Sequence, residues 1–172
     1  FRESILFTHR GLSGPAILQI SSFWNAGDSI EINCAPELDL PALLRANAHR
    51  KSLLSNFLAN YLPKRFCEAF VNTYFENKPL NSYSKSEFSE IADKLSRWEI
   101  RPTGTEGFAK AEATLGGIDT RELSSKTMEC KKVVGLFFVG EAVDVTGHLG
   151  GYNFQWAWSS GAVAGRAIAE NL

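Results

Sequence analysis

The sequence predicts a mixed fold of the α+β or α/β type, in which a helical stretch interrupts glycine-rich, strand-bearing chain. Residues 39–97 carry Leu, Phe and Ala at helical spacing, with no glycine to break it. Residues 98–172 set short apolar runs between glycines and close on a long helical pattern. Residues 1–38 combine a helix start with an alternating strand.

Ile5-Leu6-Phe7 is a strand-like run. Ser13 or Gly14 before Pro15 signals a helix start, because proline tolerates the first turn, where its missing N–H is not needed. A helix is expected over residues 15–24, with Ile17, Ile20 and Trp24 on one face. Asn25-Ala26-Gly27-Asp28 turns the chain, and Ser29-Ile30-Glu31-Ile32-Asn33 alternates as a strand. Leu40, Leu43 and Leu44, then Leu53 to Tyr61, Phe66 to Tyr74 and Phe88 to Leu95 outline three or four short helices broken near Pro63 and Pro79. Residues 98–102 and 111–115 read as strands, each ending near glycines, and residues 127–130 as a shorter one. Leu136-Phe137-Phe138-Val139, entered through Gly135 and left through Gly140, has the profile of a strand buried on both faces. A loop to Tyr152 and a helix over 153–170 complete the chain. In that helix Ala157, Gly161, Ala164, Gly165 and Ile168 recur at three- and four-residue steps, which suggests close packing against a sheet or cofactor.

A net charge of −1 argues against bulk nucleic-acid binding, and no apolar run approaches the roughly eighteen residues that span a bilayer. Cys34, Cys67 and Cys130 are distant, odd in number and outside any C-x-x-C pair. Neither a disulfide framework nor a metal cage is indicated, and a reducing, cytoplasmic setting fits. The opening Phe1-Arg2-Glu3 lacks the basic and apolar regions of a signal peptide and reads like a chain entered in mid-protein. From Pro41 to Cys67, Arg45, Arg50, Lys51, Lys64 and Arg65 stand beside His49 without one acidic residue. This basic helical surface could engage RNA or another anionic partner as a non-catalytic binding module. The plainer alternative is a solvated face neutralised by Glu68, Glu76, Glu87 and Glu90.

The chemistry-bearing constellation follows the last apolar run. A strand whose end delivers Gly140, Glu141 and Asp144 is where open α/β sheets bind ligands. Carboxylates there can accept hydrogen bonds from sugar hydroxyls. Gly147-His148-Leu149-Gly150-Gly151-Tyr152-Asn153 then leads into a helix N-terminus suited to negative charge. His148 is a candidate proton donor or only orients the loop, and His9 is a second candidate that could reach substrate or cap the next helix. No G-x-S-x-G elbow supports a hydrolase.

The run from Phe138 to Gly161 resembles the C-terminal FAD-binding signature of the YhiN/BaiN-like flavoproteins, bacterial NAD(P)/FAD-dependent oxidoreductases. Leu6-Phe7-Thr8-His9-Arg10-Gly11-Leu12-Ser13-Gly14-Pro15 and Arg101-Pro102-Thr103-Gly104-Thr105-Glu106-Gly107, continuing through residues 111–118, are similar to the same family in the same order. The resemblance implies an inserted substrate-side domain over residues 1–110, with a helical subdomain at about 39–97. Residues 111–172 would then be the last strands and long helix of a Rossmann-like FAD-binding domain. It implies that Gly140, Glu141 and Asp144 border the ribityl-pyrophosphate region. Gly150, Gly151, Tyr152, Asn153 and Phe154 would present backbone N–H groups to the flavin pyrimidine edge, and Thr114, Gly116 and Gly117 would form a turn beside the cofactor. The family holds FAD mainly through a G-x-G-x-x-G fingerprint. No two glycines here are separated by one residue, so that half of the site is absent from this chain. The expectation is a fragment that binds FAD poorly and is inactive alone, whose partners are the missing half and a small-molecule substrate, with NAD(P)H as reductant. Some family members reduce steroid-type enones and others are called aminoacetone oxidases, so the family does not fix a substrate.

Overall fold

The computed structural model describes residues 1–170. The chain forms two units, residues 27–102 and residues 1–26 together with the chain from Thr103 onward. The architecture is mixed α+β, with helices dominating and two small antiparallel sheets.

In the unit 27–102, β3 (Ile30–Ile32) pairs antiparallel with β4 (Trp98–Ile100) in the register Ile30↔Ile100, Glu31↔Glu99, Ile32↔Trp98. The facing carboxylates of Glu31 and Glu99 would repel. Arg97 relieves this by donating from Nε to Glu31 Oε2 at 3.0 Å. Between the strands lie α2 (Leu40–Ala46), α3 (Leu54–Leu58), α4 (Lys64–Tyr74) and α5 (Lys85–Ser96). Pro63 stands at the start of α4, and Pro79 at the start of a 3₁₀ turn, Leu80–Ser82. The stripes read from the sequence meet in one core: Leu40 and Leu44, Leu54, Phe57 and Leu58, Phe70 and Val71, and Phe88, Ile91 and Leu95 are all buried. Asp39 caps α2 through the Ala42 N–H. Ser84 and Glu87 form a reciprocal capping box on α5, whose Glu87 also takes a 2.7 Å bond from Lys78 Nζ.

In the other unit, β1 (Leu6–Phe7) and β2 (Leu12–Ser13) form a hairpin closed by Thr8, whose N–H and hydroxyl both donate to the Gly11 carbonyl. The following helix α1 (Pro15–Ser21) ends three residues before Trp24. It buries Ala16 and Gln19, while Ile17, Ile20 and Trp24, expected on its inner face, are only half-buried. The long helix α6 (Tyr152–Glu170) buries Ser160, Ala164 and Ala167. Its core partners are Leu123, Met128 and Val143.

The expected strand at residues 111–115 is bend and coil. Residues 127–130 make only isolated bridges, Leu123↔Cys130 and Glu129↔Phe137. The run 136–139 is likewise not a strand buried on both faces: Leu136 is 39% exposed and Val139 37%. It is held on one side, by Cys130 N–H to the Leu136 carbonyl and Phe138 N–H to the Met128 carbonyl, and no second neighbour flanks it among the described residues. Gly161 and Gly165 do not mark a close approach either. A Cβ at either would meet open space, because the packed face of α6 runs one position away, along Ser160 and Ala164. No helix among the described residues is long and apolar enough to cross a membrane.

Candidate functional site

The acidic and glycine positions around 114–118 and 140–144 are brought together by a short parallel bridge, Ile118↔Val143. Ile118 N–H donates to the Ala142 carbonyl and Asp144 N–H to the Ile118 carbonyl, both at 2.9 Å. Gly117 makes that approach possible. Its φ is +140°, and a Cβ there would stand 2.8 Å from the Ala142 carbonyl oxygen. Asp144 Oδ1 accepts from the Gly116 N–H at 3.2 Å, so this carboxylate tethers the glycine turn. Thr114 and Glu141 are exposed beside it.

Gly140 is clamped onto α6 through both halves of its peptide. Its N–H donates to the buried Ser160 hydroxyl at 2.9 Å, and its carbonyl accepts from Trp156 Nε1 at 3.0 Å. The Ser160 hydroxyl in turn donates to the Trp156 carbonyl at 2.7 Å. This latch fixes the 140–144 segment along the first half of α6.

The loop before α6 is held at its ends and at its middle. Asn153 Oδ1 accepts from the Gly147 N–H at 2.6 Å, and its Nδ2 donates to the Gly147 carbonyl at 3.3 Å. Leu149 N–H donates at 2.7 Å to Oε1 of Gln19, a buried side chain of α1. Between these anchors Gly150 and Gly151 adopt φ of +106° and +95° with nothing near their Cβ directions. Tyr152 and Phe154 are exposed, 64% and 74%. The first-turn N–H groups of a helix have no intrahelical acceptor, so this end of α6 offers backbone donors and partial positive charge beside open glycine backbone. An acceptor edge carrying negative charge fits that arrangement.

His148 is exposed on this loop, its ring edge-on to Phe1 at 5.5 Å. His9 is exposed at the tip of the β1–β2 hairpin, beside the Arg10–Glu106 ion pair of 2.9 Å. No hydrogen bond or ring contact joins the two histidines. Burial pushes the Cys34 and Cys67 thiols up to about 11, which keeps them protonated and poor nucleophiles.

Gln19, Trp156 and Ser160 organise the site without having stood out in the sequence, whereas Gly147 already opened the loop motif read there. A glutamine on the inner side of a short apolar helix was a signal for Gln19, since a buried amide needs a partner.

The model of the HI0933-like protein barrel and H2TH domain matches residues 1–113. The chain belongs to the HI0933-like family. This agrees with the resemblance at the level of the family, and the matched residues hold the motif at residues 6–15 and most of the one that begins at Arg101. Among curated relatives, the ribosomal RNA dihydrouridine synthase of Escherichia coli (strain K12) is 52% identical over 163 residues, covering 93% of this chain and 41% of that protein. The protein of the same name from Haemophilus influenzae is 42% identical over 173 residues, 99% of this chain and 43% of its own length. The 3-dehydro-bile acid delta(4,6)-reductase of Clostridium scindens is 29% identical over 176 residues, 95% of this chain and 43% of its length. The HI0933-like chain thus spans about two fifths of these relatives, which are all named as enzymes.

Proposed function

We propose that the chain is part of a flavin-dependent reductase that saturates the C5=C6 bond of uridine in ribosomal RNA. The observation that carries this reading is the 52% and 42% identity, over nearly the whole chain, to two relatives that share one name. The third relative's name describes related chemistry. In uracil C5=C6 is conjugated to the C4 carbonyl, and in a 3-oxo-Δ4,6 steroid the reduced double bonds are conjugated to a carbonyl. Both reductions add a hydride to the carbon distal to the carbonyl and a proton to its neighbour.

Bound FAD would supply the two-electron chemistry, with NAD(P)H as the reductant. On this chain, the N–H groups of Gly150, Gly151 and Tyr152 and the start of α6 would hold the flavin pyrimidine edge and favour negative charge there. Asn153 and Gln19 keep the loop in that shape. Gly140, Glu141 and Asp144, with Thr114, Gly116 and Gly117, would border the ribityl side. His148, exposed on the same loop, would be the imidazole that delivers a proton to the substrate. Such an enzyme works where ribosomal RNA is, in the cytoplasm.

The test is made on the intact protein that carries this chain. It is expected to purify yellow and to form dihydrouridine in ribosomal RNA, read by nucleoside mass spectrometry. Gly151→Val, which forces a β-branched side chain into the left-handed region, and Asn153→Leu, which frees the loop, are expected to lower flavin retention about 10-fold or more, roughly 1.4 kcal/mol. A colourless protein, or one that leaves uridine unreduced, overturns the reading.

A further inference from the structure

Five exposed cations cover one helical unit and have almost no acid to neutralise them. Arg45 ends α2, Arg50 and Lys51 follow in the linker to α3, and Lys64 and Arg65 open α4. Of the glutamates that could have paired with them, Glu76 and Glu87 are engaged elsewhere, and Glu90 forms no ion pair among the described residues. Glu87 and Glu76 both turn to Lys78, at 2.7 and 3.6 Å. Only Glu68 reaches the group, standing 3.8 Å from Lys64. Among the described residues Arg45, Lys51 and Arg65 have no ion-pair partner.

Nor does helix electrostatics explain the placement. Lys64 and Arg65 occupy the first turn of α4, where cations oppose the helix dipole, and that turn holds no acidic residue. Yet the surface is ordered. Asn81 N–H donates to the Arg50 carbonyl at 2.9 Å, Leu80 N–H to the Ser52 carbonyl at 3.0 Å and Leu54 N–H to the Lys78 carbonyl at 3.1 Å, pinning the basic linker to the segment before α5. The Arg50 guanidinium lies 5.8 Å from the centroid of Phe57, whose ring meets the half-exposed Tyr61 at 5.6 Å, three residues before Lys64. Cations interleaved with an accessible aromatic ring, on fixed backbone, match a polyphosphate chain carrying stackable bases.

We propose that Arg45, Arg50, Lys51, Lys64 and Arg65 form a docking face for the phosphate backbone of ribosomal RNA. The proposal rests on the substrate assigned above and adds to it the surface that holds the RNA. Contacts of this kind position the nucleic acid without reading its sequence, so the uridine is chosen at the flavin site or by RNA shape. The chain's net charge of −1 hides the face because acids elsewhere cancel it in the sum.

The test uses the intact protein with deproteinised ribosomal RNA as probe, measuring dissociation constants across a salt series. A variant with Arg45, Arg50, Lys51, Lys64 and Arg65 all changed to Gln is expected to lower the slope of log Kd against log salt by about 3.5 to 4.5, from roughly 0.7 to 0.9 per phosphate contact. Changing only the three arginines to Lys keeps the charge and should keep the slope. Circular dichroism matching the wild type shows that the exposed substitutions leave the fold intact. A slope unchanged on neutralisation overturns the proposal. So does a five-fold variant that keeps RNA binding and loses only phosphatidylglycerol vesicles or an acidic peptide. Dihydrouridine formation separates the two claims: a wild type that makes it, with a neutralised variant that binds and reacts normally, sinks the docking face alone. A wild type that makes none, yet loses its salt slope on neutralisation, sinks the uridine reading and supports the face.

Discussion

The two units of this chain solve folding in opposite ways. In residues 27–102, Leu40, Leu44, Leu54, Val71, Leu80, Ile91 and Leu95 are completely buried, and four helices surround them, three of which, α2, α4 and α5, have capped or proline-marked starts. In the other unit the buried hydrophobic residues are few, whereas Phe154 and Trp158 of α6 are 74% and 77% exposed and Val134 95%. Phe154 and Trp158 are four residues apart and share a helix face. Regular helices satisfy their backbone locally and leave side chains free to build a core. The glycine-rich unit uses side chains such as Ser160, Asp144 and Asn153 to satisfy its backbone instead, and what it builds is a shaped, open loop.

The sharpest way to break this contrast is core truncation. Ile91→Ala, at a site of 0% exposure, is expected to cost about 2–5 kcal/mol, because the surrounding helices cannot collapse around the cavity. Leu136→Ala, at a site already 39% exposed, should cost less than about 1 kcal/mol. Urea unfolding followed by circular dichroism measures both. Equal losses would mean that the glycine-rich unit is packed as firmly as the helical one.

A second pair of variants sharpens the role of glycine. Gly117→Ala places a Cβ 2.8 Å from the Ala142 carbonyl oxygen at a φ of +140°, and is expected to destabilise by about 1–3 kcal/mol. Gly161→Ala meets open space inside α6 and should stabilise by up to about 1 kcal/mol, through better helix propensity. Opposite shifts in Tm are the expected result. Two shifts of the same sign would refute the close parallel approach at Ile118 and Val143.

These pairs show what the sequence could disclose. The stripes from Leu40 to Leu95 reported burial at most of their positions, because a helix projects its own periodicity onto a single core and Pro63 and Pro79 mark where segments begin, whereas Leu53, Tyr61 and Tyr74 at the stripe ends are exposed. The edges of β3 and β4 were legible, but their pairing across nearly seventy residues was not. The run 136–139 misled because four apolar residues do not state how many strands flank them. Gly117 and Gly161 are the same letter with opposite duties, decided by what lies opposite. Gln19 answers to Leu149, 130 residues away, and no local pattern carries that distance. The motif around residues 147–153 was recognisable as a site, while the internal bond of Asn153 to Gly147 leaves no local pattern in the sequence.

The smallest expected effect concerns acid stability of the helical unit. The Lys78 ammonium, together with the Ser84 N–H and hydroxyl, holds the Glu87 carboxyl down to about 2, against an ordinary value of 4.5. A carboxyl lowered on folding stabilises the folded state fully above its ordinary value, and that contribution is lost as pH falls from about 4.5 towards 2. Glu87→Gln should therefore lower Tm at neutral pH and flatten the decline of Tm across the acid window, meeting the wild type at its lower end. Ser84→Ala, which removes the other half of the capping box, is expected to cost about 1 kcal/mol at neutral pH. Parallel Tm curves for wild type and Glu87→Gln through the acid range would show that this exposed cluster does not set the pH response. The core burial at Phe88 and Ile91 would then hold α5 in place without help from its cap.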